Sequence, residues 1–206
     1  MTDRSLTVTR RGVVPYIATW SEERELPTRI VQHRNGGIGF ADEVAVDRDR
    51  DGILWTRMSA QPGCGRPRFA VVHSLRQRRA MLRLLCQVCG QPADRNSQGV
   101  LWLLPNRANG REGWPNDNWF AEPPVCRPCA LVATQLCPAL RKDYVLVRAG
   151  STRICGVHGL TYRSGRPAPA IVSSNEFVDL HSPVIRWTLG QFLLRSLDDC
   201  TVVDLD

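Results

Sequence analysis

Long apolar runs are absent from this chain of 206 residues. No window approaches the roughly 18 uninterrupted apolar residues of a membrane-spanning helix, and the first residues lack the apolar stretch of a signal peptide. We therefore expect a cytoplasmic protein that has no membrane partner. Hydrophobic residues still make up 43% of the chain, so it can bury a core and fold as a globular protein.

Lysine is nearly absent as well. Of the 27 basic residues only Lys142 is a lysine. Arginine codons are mostly GC-rich, so this bias indicates a GC-rich coding sequence. The whole chain resembles bacterial proteins from GC-rich genomes, a resemblance that implies no particular activity.

Acidic residues are missing from residues 52–93, although the chain contains 20 of them and its net charge is +7. The same stretch carries Arg57, Arg66, Arg68, Arg76, Arg78, Arg79 and Arg83. A basic block of this kind is typical of a surface that binds polyanions. It is also compatible with a zinc ion held by four thiolates, a net dianion whose charge nearby arginines would balance.

Familiar catalytic motifs are missing too. The chain has no G-x-S-x-G elbow, no P-loop and no dinucleotide-binding glycine pattern. An enzyme of a specialised pathway remains an alternative. It would need a site assembled from distant residues, and a pocket lined by His73, His158 or His181 would favour it.

Cysteine, by contrast, is plentiful, and four of the eight cysteines form two C-x-x-C pairs. In a reducing compartment such cysteines are thiols or metal ligands rather than disulfides. Gly90 follows the first pair, where a knuckle needs a tight turn, and the second pair opens a predicted helix whose N-terminus stabilises thiolates. We predict one structural Zn²⁺ ion bound by Cys86, Cys89, Cys126 and Cys129. The alternatives are buried thiols and a single redox pair.

With these four cysteines, residues 85–136 resemble a treble-clef zinc finger, in which a knuckle, a hairpin and a helix follow one another. The resemblance implies zinc as the metal, with Cys86 and Cys89 as knuckle ligands and Cys126 and Cys129 as helix ligands. Treble clefs also form the scaffold of HNH nucleases, whose histidines bind a catalytic cation near the hairpin. No histidine lies between Cys89 and Cys126, which argues against that activity.

Two further metal patterns are weaker. Asp47, Asp49, Asp51 and Gly52 match the first half of a calcium loop, but Met58 occupies the position of the bidentate glutamate. A solvated hairpin turn explains this stretch better. A second metal site made of Cys64, Cys137, Cys155 and His158 would draw ligands from three distant segments, which is a weak pattern.

Short apolar runs separated by turn residues predict a β-rich part over residues 1–73. Ser74 is a plausible N-cap for a helix that extends to about residue 85. On that helix Leu75, Met81, Leu82, Leu84 and Leu85 would form a core face. Arg76, Arg79 and Arg83 would form a basic ridge on the opposite side.

The rest of the chain is predicted to hold a strand at 100–104, a long loop at 105–124, a helix at 126–136 and strands at 144–148, 160–163 and 170–172. A helix that starts at Ser182 and Pro183 and carries a broad apolar face over 185–197 would close the fold, together with a final strand at 201–205. Trp114, Trp119 and Phe120 in the long loop could stack on bases, or they could pack the loop against the core.

We therefore expect an α+β fold with three parts: a β-rich part (1–73), a basic helix with the treble-clef zinc module (74–140) and a C-terminal β-α-β segment (141–206). The function that we predict is DNA or RNA binding through Arg76, Arg79 and Arg83, beside a structural zinc ion. The alternatives are a protein-interaction adaptor built on the zinc scaffold and the enzyme described above.

Overall fold

Strands dominate the computed structural model of the chain, which describes residues 6–9, 12–107, 113–141 and 143–205. Two helices and thirteen strands are found in this part of the chain, which confirms the α+β class. In chain order the elements are β1 (Val8–Thr9), β2 (Gly12–Val13), β3 (Ala18–Trp20), β4 (Ile30–Gln32), β5 (Ile38–Phe40), β6 (Leu54–Trp55), β7 (Pro67–Val72), α1 (Ser74–Arg83), β8 (Arg95–Asn96), β9 (Gly99–Pro105), β10 (Asn118–Phe120), α2 (Arg127–Leu136), β11 (Tyr144–Arg163), β12 (Ala170–Asp179) and β13 (Thr188–Val202). Single turns of 3-10 helix lie at Ala45–Asp47 and Pro183–Trp187.

The chain divides into two compact units that interleave along the sequence. The first unit comprises Met1–Thr19, Pro67–Ile154 and Arg195–Asp206, and the second comprises Trp20–Arg66 and Cys155–Leu194. Both helices and all eight residues of the two C-x-x-C segments therefore belong to the first unit.

The first unit is built on an antiparallel sheet with the strand order β10-β13-β11-β9-β8. In its centre β9 pairs with β11 from Tyr144↔Pro105 to Ala149↔Val100. Leu101, Leu103 and Leu146 point from these strands into a buried cluster that includes Val125 and Ala130. One face of the sheet therefore packs against the segment that carries α2 and the cysteines.

In the second unit β12 pairs with β11, and β6 runs parallel to β13. The hairpin of β4 and β5 brings Ile38 and Phe40 into a second buried cluster with Leu54 and Leu189. Two register shifts interrupt the pairing of β12 with β11. Such bulges bend an outer strand and hinder edge-to-edge pairing with another chain.

The C-terminal β-α-β segment is a wrong prediction. Residues 185–197 do not form a helix, because most of them belong to the 15-residue strand β13. The segment from Thr188 to Leu197 is buried at eight of its ten positions, so its apolar residues do not alternate with exposed polar ones as in a strand with one exposed face. Over this length the spacing of its apolar residues resembles the broad apolar face of a helix.

Several element boundaries also differ from the expectations. The strands predicted at 144–148 and 160–163 are two ends of the single 20-residue strand β11. The long loop at 105–124 contains the short strand β10, and its residues 108–112 lie outside the described part of the chain. Helix α1 has His73 rather than Ser74 as its N-cap residue.

The core face predicted for α1 is partly wrong. Ala80 and Met81 are buried as side chains of the core, together with Ser74 and Gln77, but Leu82 is 48% exposed. The helix ends at Arg83, and Leu84 adopts a left-handed conformation with φ of 50°. This reversal turns the chain towards the first cysteine pair and takes Leu84 and Leu85 out of the helical periodicity on which the prediction depended.

Among the residues that the structure describes, neither helix combines the length and the apolar character that crossing a membrane requires.

Candidate metal centre

The first cysteine pair lies in a tight turn that directly follows α1. The N–H of Cys86 donates to the carbonyl of Gln91 at 2.7 Å, and the N–H of Gly90 donates to the carbonyl of Cys86 at 2.8 Å. Gly90 adopts φ of 70°, which a residue with a Cβ atom rarely adopts. The N–H of Val88 lies 3.4 Å from Cys86 Sγ. The turn therefore holds Cys86 and Cys89 close together and places the N–H of Val88 near the sulfur of Cys86.

The second cysteine pair lies at the start of α2. Cys126 is the N-cap residue, and Cys129 is buried in the first turn of the helix. The first N–H groups of a helix have no partner within the helix, and the positive end of the helix dipole lies there. Both effects favour a thiolate over a thiol at this position.

The four sulfur atoms lie within 4.8 Å of one another. Cys89 Sγ and Cys126 Sγ are 3.8 Å apart, whereas a disulfide requires about 2.05 Å, and all eight cysteines are free. Four sulfurs at about 2.3 Å from a tetrahedral zinc ion would lie about 3.8 Å from one another. The donor set and its spacing therefore fit a zinc ion, and the prediction that these four cysteines come together is confirmed.

The electrostatics of the cluster also favour a bound cation. The thiols of Cys129 and Cys86 hydrogen-bond to the sulfur of Cys126 and hold the pKa of Cys126 far below its usual range. The hydrogen bonds to the sulfur of Cys126 raise the pKa of Cys86 and of Cys129, which donate them. The four-cysteine cluster therefore loses its first proton readily and holds the others more tightly. Each further thiolate would lie beside an existing negative charge. A divalent cation removes that obstacle.

The two cysteine segments are joined by hydrogen bonds that sequence reasoning did not find. The N–H and the side-chain amide of Gln87 donate to the carbonyls of Pro124 and Pro123, at 2.9 Å each. The N–H of Asp94 donates to the carbonyl of Val125 at 3.1 Å. The first turn is thus fixed against the residues that precede α2, and the pairs are brought together by backbone contacts as well as by packing.

A second missed feature is the position of Tyr16. Its N–H donates to the carbonyl of Val88 at 2.8 Å, and its ring lies over Gly90, where an added Cβ would meet ring carbons at 2.8 Å. Arg79 Nη1 donates to the hydroxyl of Tyr16 at 2.9 Å. No local pattern reveals this contact, because about seventy residues separate Tyr16 from the turn.

The three arginines of the predicted basic ridge differ in their surroundings. Arg76 Nη2 donates to the carbonyl of Ala18 at 2.6 Å, and the residue is half-buried. Arg79 and Arg83 are exposed. Neither of these two has an ion pair within the described ranges of the chain.

The aromatic residues of the long loop pack on the protein. Trp114 makes an edge-to-face contact with Phe120 at 6.3 Å between ring centroids. Phe120 is 7% exposed, and both Trp114 and Trp119 are half-buried. This arrangement matches the interpretation that these rings hold the loop against the core.

Two aspartates of the calcium-like loop, Asp47 and Asp49, bond to other groups of the protein. Asp49 accepts hydrogen bonds from the N–H groups of Asp51 and Ile53 and from the indole of Trp55. Asp47 pairs with Arg57. These contacts are those of a hairpin turn, as the sequence favoured.

The other candidate ligands are not gathered into a site in the described part of the chain, where the four cysteines form the one cluster of three or more potential ligands. Cys64 is exposed and Cys155 is buried. His158 stacks on Phe192 at 5.6 Å between ring centroids, and its Nε2 lies 2.5 Å from Asn175 Oδ1.

Comparisons of the chain with protein-family models, with curated proteins and with solved structures found no significant match. The site defines the class: the chain carries a four-cysteine cluster that could hold a metal ion, and four thiolates are a donor set typical of structural zinc modules.

Proposed function

We propose that Cys86, Cys89, Cys126 and Cys129 bind one structural Zn²⁺ ion in a treble-clef module. The observation that carries this proposal is the approach of all four sulfurs to within 4.8 Å of one another. The order of the elements supports it further. A cysteine turn is followed by the β8–β9 hairpin, by the short strand β10 and then by α2, with one cysteine at its N-cap and one in its first turn.

The zinc ion would be structural, since four protein ligands leave no open coordination position for water or substrate. Its contribution would be to the fold. Cys86 and Cys129 belong to the same buried cluster as Leu101, Leu103 and Leu146 of the sheet. Removing the ion would remove the link between the two cysteine segments within this apolar cluster, and the module would open.

The test is the metal content of the purified protein together with its response to a chelator. One zinc ion per chain is expected, and a Cys129→Ser variant is expected to retain far less. Cys64→Ser is the matched control, because Cys64 is an exposed cysteine outside the cluster. A wild-type protein that contains no zinc after purification and that gains no stability from added zinc would contradict the proposal.

We further propose that α1 binds nucleic acid, with Arg79 and Arg83 as the phosphate contacts and Arg76 in a supporting position. Two observations favour this surface. Residues 52–93 contain no acidic residue, so the arginines lack negative neighbours along the chain. Arg79 is linked through Tyr16 to the turn of the first cysteine pair, so the helix surface is held at a fixed place beside the proposed zinc site.

The role of Arg76 differs from that of the other two arginines. Its guanidinium is held by the carbonyl of Ala18, whereas Arg79 has donors to spare after its bond to Tyr16. Each phosphate that an arginine neutralises contributes about −0.9 to the slope of log K against log salt on B-DNA. Arg79 and Arg83 together should therefore contribute a slope of about −1.8.

The experiment is a binding titration of duplex DNA and of RNA over a range of salt concentrations. Replacing Arg76, Arg79 and Arg83 by alanine should weaken binding and reduce the salt slope. The control replaces three exposed arginines of the second unit, Arg34, Arg163 and Arg166. Affinity that does not depend on salt, or that falls equally in both triple variants, would contradict this role of α1 and favour the protein-interaction alternative.

A further inference from the structure

An apolar cavity of about 350 Å³ lies in the first unit next to the candidate metal centre. Four segments form its walls. Val13 and Pro15 come from the N-terminal segment, Phe69 comes from β7, and Val88 comes from the first cysteine turn. The last turn of α2 and the residues after it complete the walls, with Leu136 and Cys137 among them.

The chemistry of the walls restricts what can bind. None of the residues that line the cavity is charged, and the Cys137 thiol is the most polar side chain among them. A charged ligand would lose its hydration there and find no partner, so the cavity disfavours it. An uncharged apolar ligand would lose little hydration and would be favoured by the removal of its apolar surface from water.

The size and the rim of the cavity indicate a small molecule. Its volume lies at the lower end of the roughly 300–1,000 Å³ range of small-molecule sites, which suits one or two rings or a short alkyl chain. Phe69 and Leu136 are 44% and 47% exposed. Both apolar side chains therefore stand partly in water at the edge of the recess, where a ligand would cover them.

We propose that this cavity binds a small, uncharged, apolar ligand. The site is built from the same segments as the metal centre. Val88 stands between Cys86 and Cys89, and the wall residues Val132, Ala133 and Leu136 lie on α2, whose N-cap residue is Cys126. An intact four-cysteine centre would therefore keep the walls in place, and ligand binding should be lost when the module opens.

The experiment is a fluorescence titration of the full chain with 1-N-phenylnaphthylamine, an uncharged apolar probe that brightens in apolar surroundings. Saturable binding of one probe per chain is expected. Leu136→Trp should weaken binding by about tenfold or more, equivalent to about 1.4 kcal/mol, because the larger ring fills the cavity. Leu131→Trp is the matched control, since Leu131 lies on the same helix, is 39% exposed and does not line the cavity.

The metal content of each variant is measured in the same samples. Weak or absent binding by a wild-type protein that retains its zinc would overturn the cavity proposal and leave the zinc proposal standing. Equal binding by the two tryptophan variants would overturn it as well, and so would a stoichiometry above one probe per chain. If probe binding disappears as the protein self-associates at higher concentration, a second copy of the chain covers the cavity, and the small-molecule proposal is overturned.

Discussion

The guanidinium of Arg57 holds both carboxylate oxygens of Asp47. Nε lies 2.7 Å from Oδ1, and Nη2 lies 2.6 Å from Oδ2. The N–H of Val44 adds a third donor, at 2.7 Å from Oδ2. The ring of Phe40 covers the guanidinium at 4.5 Å from its centroid. Since Asp47 is 5% exposed, this fork-to-fork pair anchors the loop between β5 and β6 in the second unit.

This pair should make the stability of the protein depend on pH. Arg57 lowers the pKa of Asp47 from its usual value, which is about 3.9 in an unfolded chain. A lowered pKa in the folded state stabilises the protein above the unfolded value, and that stability is lost as the pH falls through the folded value. Asp47→Asn should therefore reduce the free energy of unfolding by about 2 kcal/mol at neutral pH, as expected for lost charged hydrogen bonds.

Denaturant unfolding from pH 7 down to pH 2 checks this expectation. The difference between wild type and Asp47→Asn should narrow as the pH falls below about 4. Asp42→Asn is the control, because Asp42 also contacts Arg57 but its side chain is 71% exposed, and little change is expected for it. A constant difference at every pH would show that the loss comes from packing and not from ionisation.

Removal of the proposed zinc ion should unfold the first unit more than the second. Structural zinc sites contribute roughly 10 kcal/mol or more of apparent binding free energy at neutral pH. After chelation, amide hydrogens of α2, β8 and β9 should exchange with solvent much faster than those of β4 and β5. Hydrogen exchange read by mass spectrometry resolves the two groups. Uniform loss of protection in both units, or none in either, would contradict a structural ion in the cysteine cluster.

The cysteine cluster was the most predictable part of the molecule, for a physical reason. A C-x-x-C turn places two ligands by local geometry alone, so its chemistry can be read from four adjacent residues. Gly90 predicted the tight turn in the same way, because it directly follows the second cysteine of the pair. The contact of Tyr16 with this turn could not be predicted, since it depends on how two distant segments pack.

The C-terminal strand shows the limit of periodicity as a signal. β13 is buried at both faces over Thr188–Leu197 apart from two half-buried residues, so it lacks the alternation that marks a half-exposed strand. Ser182 and Pro183 do begin a helical segment, but it is the short 3-10 helix Pro183–Trp187 and not an α-helix. The Ser182 side chain accepts a hydrogen bond from the N–H of Val184 at its start. The local sequence therefore predicted the start of the 3-10 helix, whereas the strand that follows it depends on burial in the folded protein.

Close approach of two strands in the second unit makes Gly159 intolerant of a side chain. A Cβ at Gly159 of β11 would lie 2.2 Å from the backbone carbonyl oxygen of Leu189. Gly159→Ala should therefore destabilise the protein by about 2 kcal/mol, as overpacked sites do. Gly150→Ala, on the same strand, is the comparison, because its nearest atom is the Asp199 side chain at 3.1 Å. Thermal unfolding should place Gly159→Ala below Gly150→Ala, and the reverse order would contradict the steric explanation.

The contact between Tyr16 and Gly90 links the stability of the cysteine turn to the N-terminal segment. Gly90→Ala should lower the melting temperature and weaken zinc binding, for two separable reasons. A non-glycine residue at positive φ costs about 1–2 kcal/mol, and the new Cβ would meet the Tyr16 ring at 2.8 Å. Gly52→Ala isolates the first cost, since Gly52 has φ of 77° and an added Cβ there meets no atom within 4 Å.

The second cost can be isolated by a double-mutant cycle. Replacing Tyr16 by alanine removes the ring that the new methyl group would strike. Gly90→Ala should therefore destabilise the Tyr16→Ala protein less than it destabilises the wild type, by about 1 kcal/mol, a coupling usual for residues in contact. Zinc affinity measured by competition with a chromophoric chelator should follow the same order. Strict additivity of the two substitutions would mean that the ring yields at no cost and that Tyr16 does not restrain the turn.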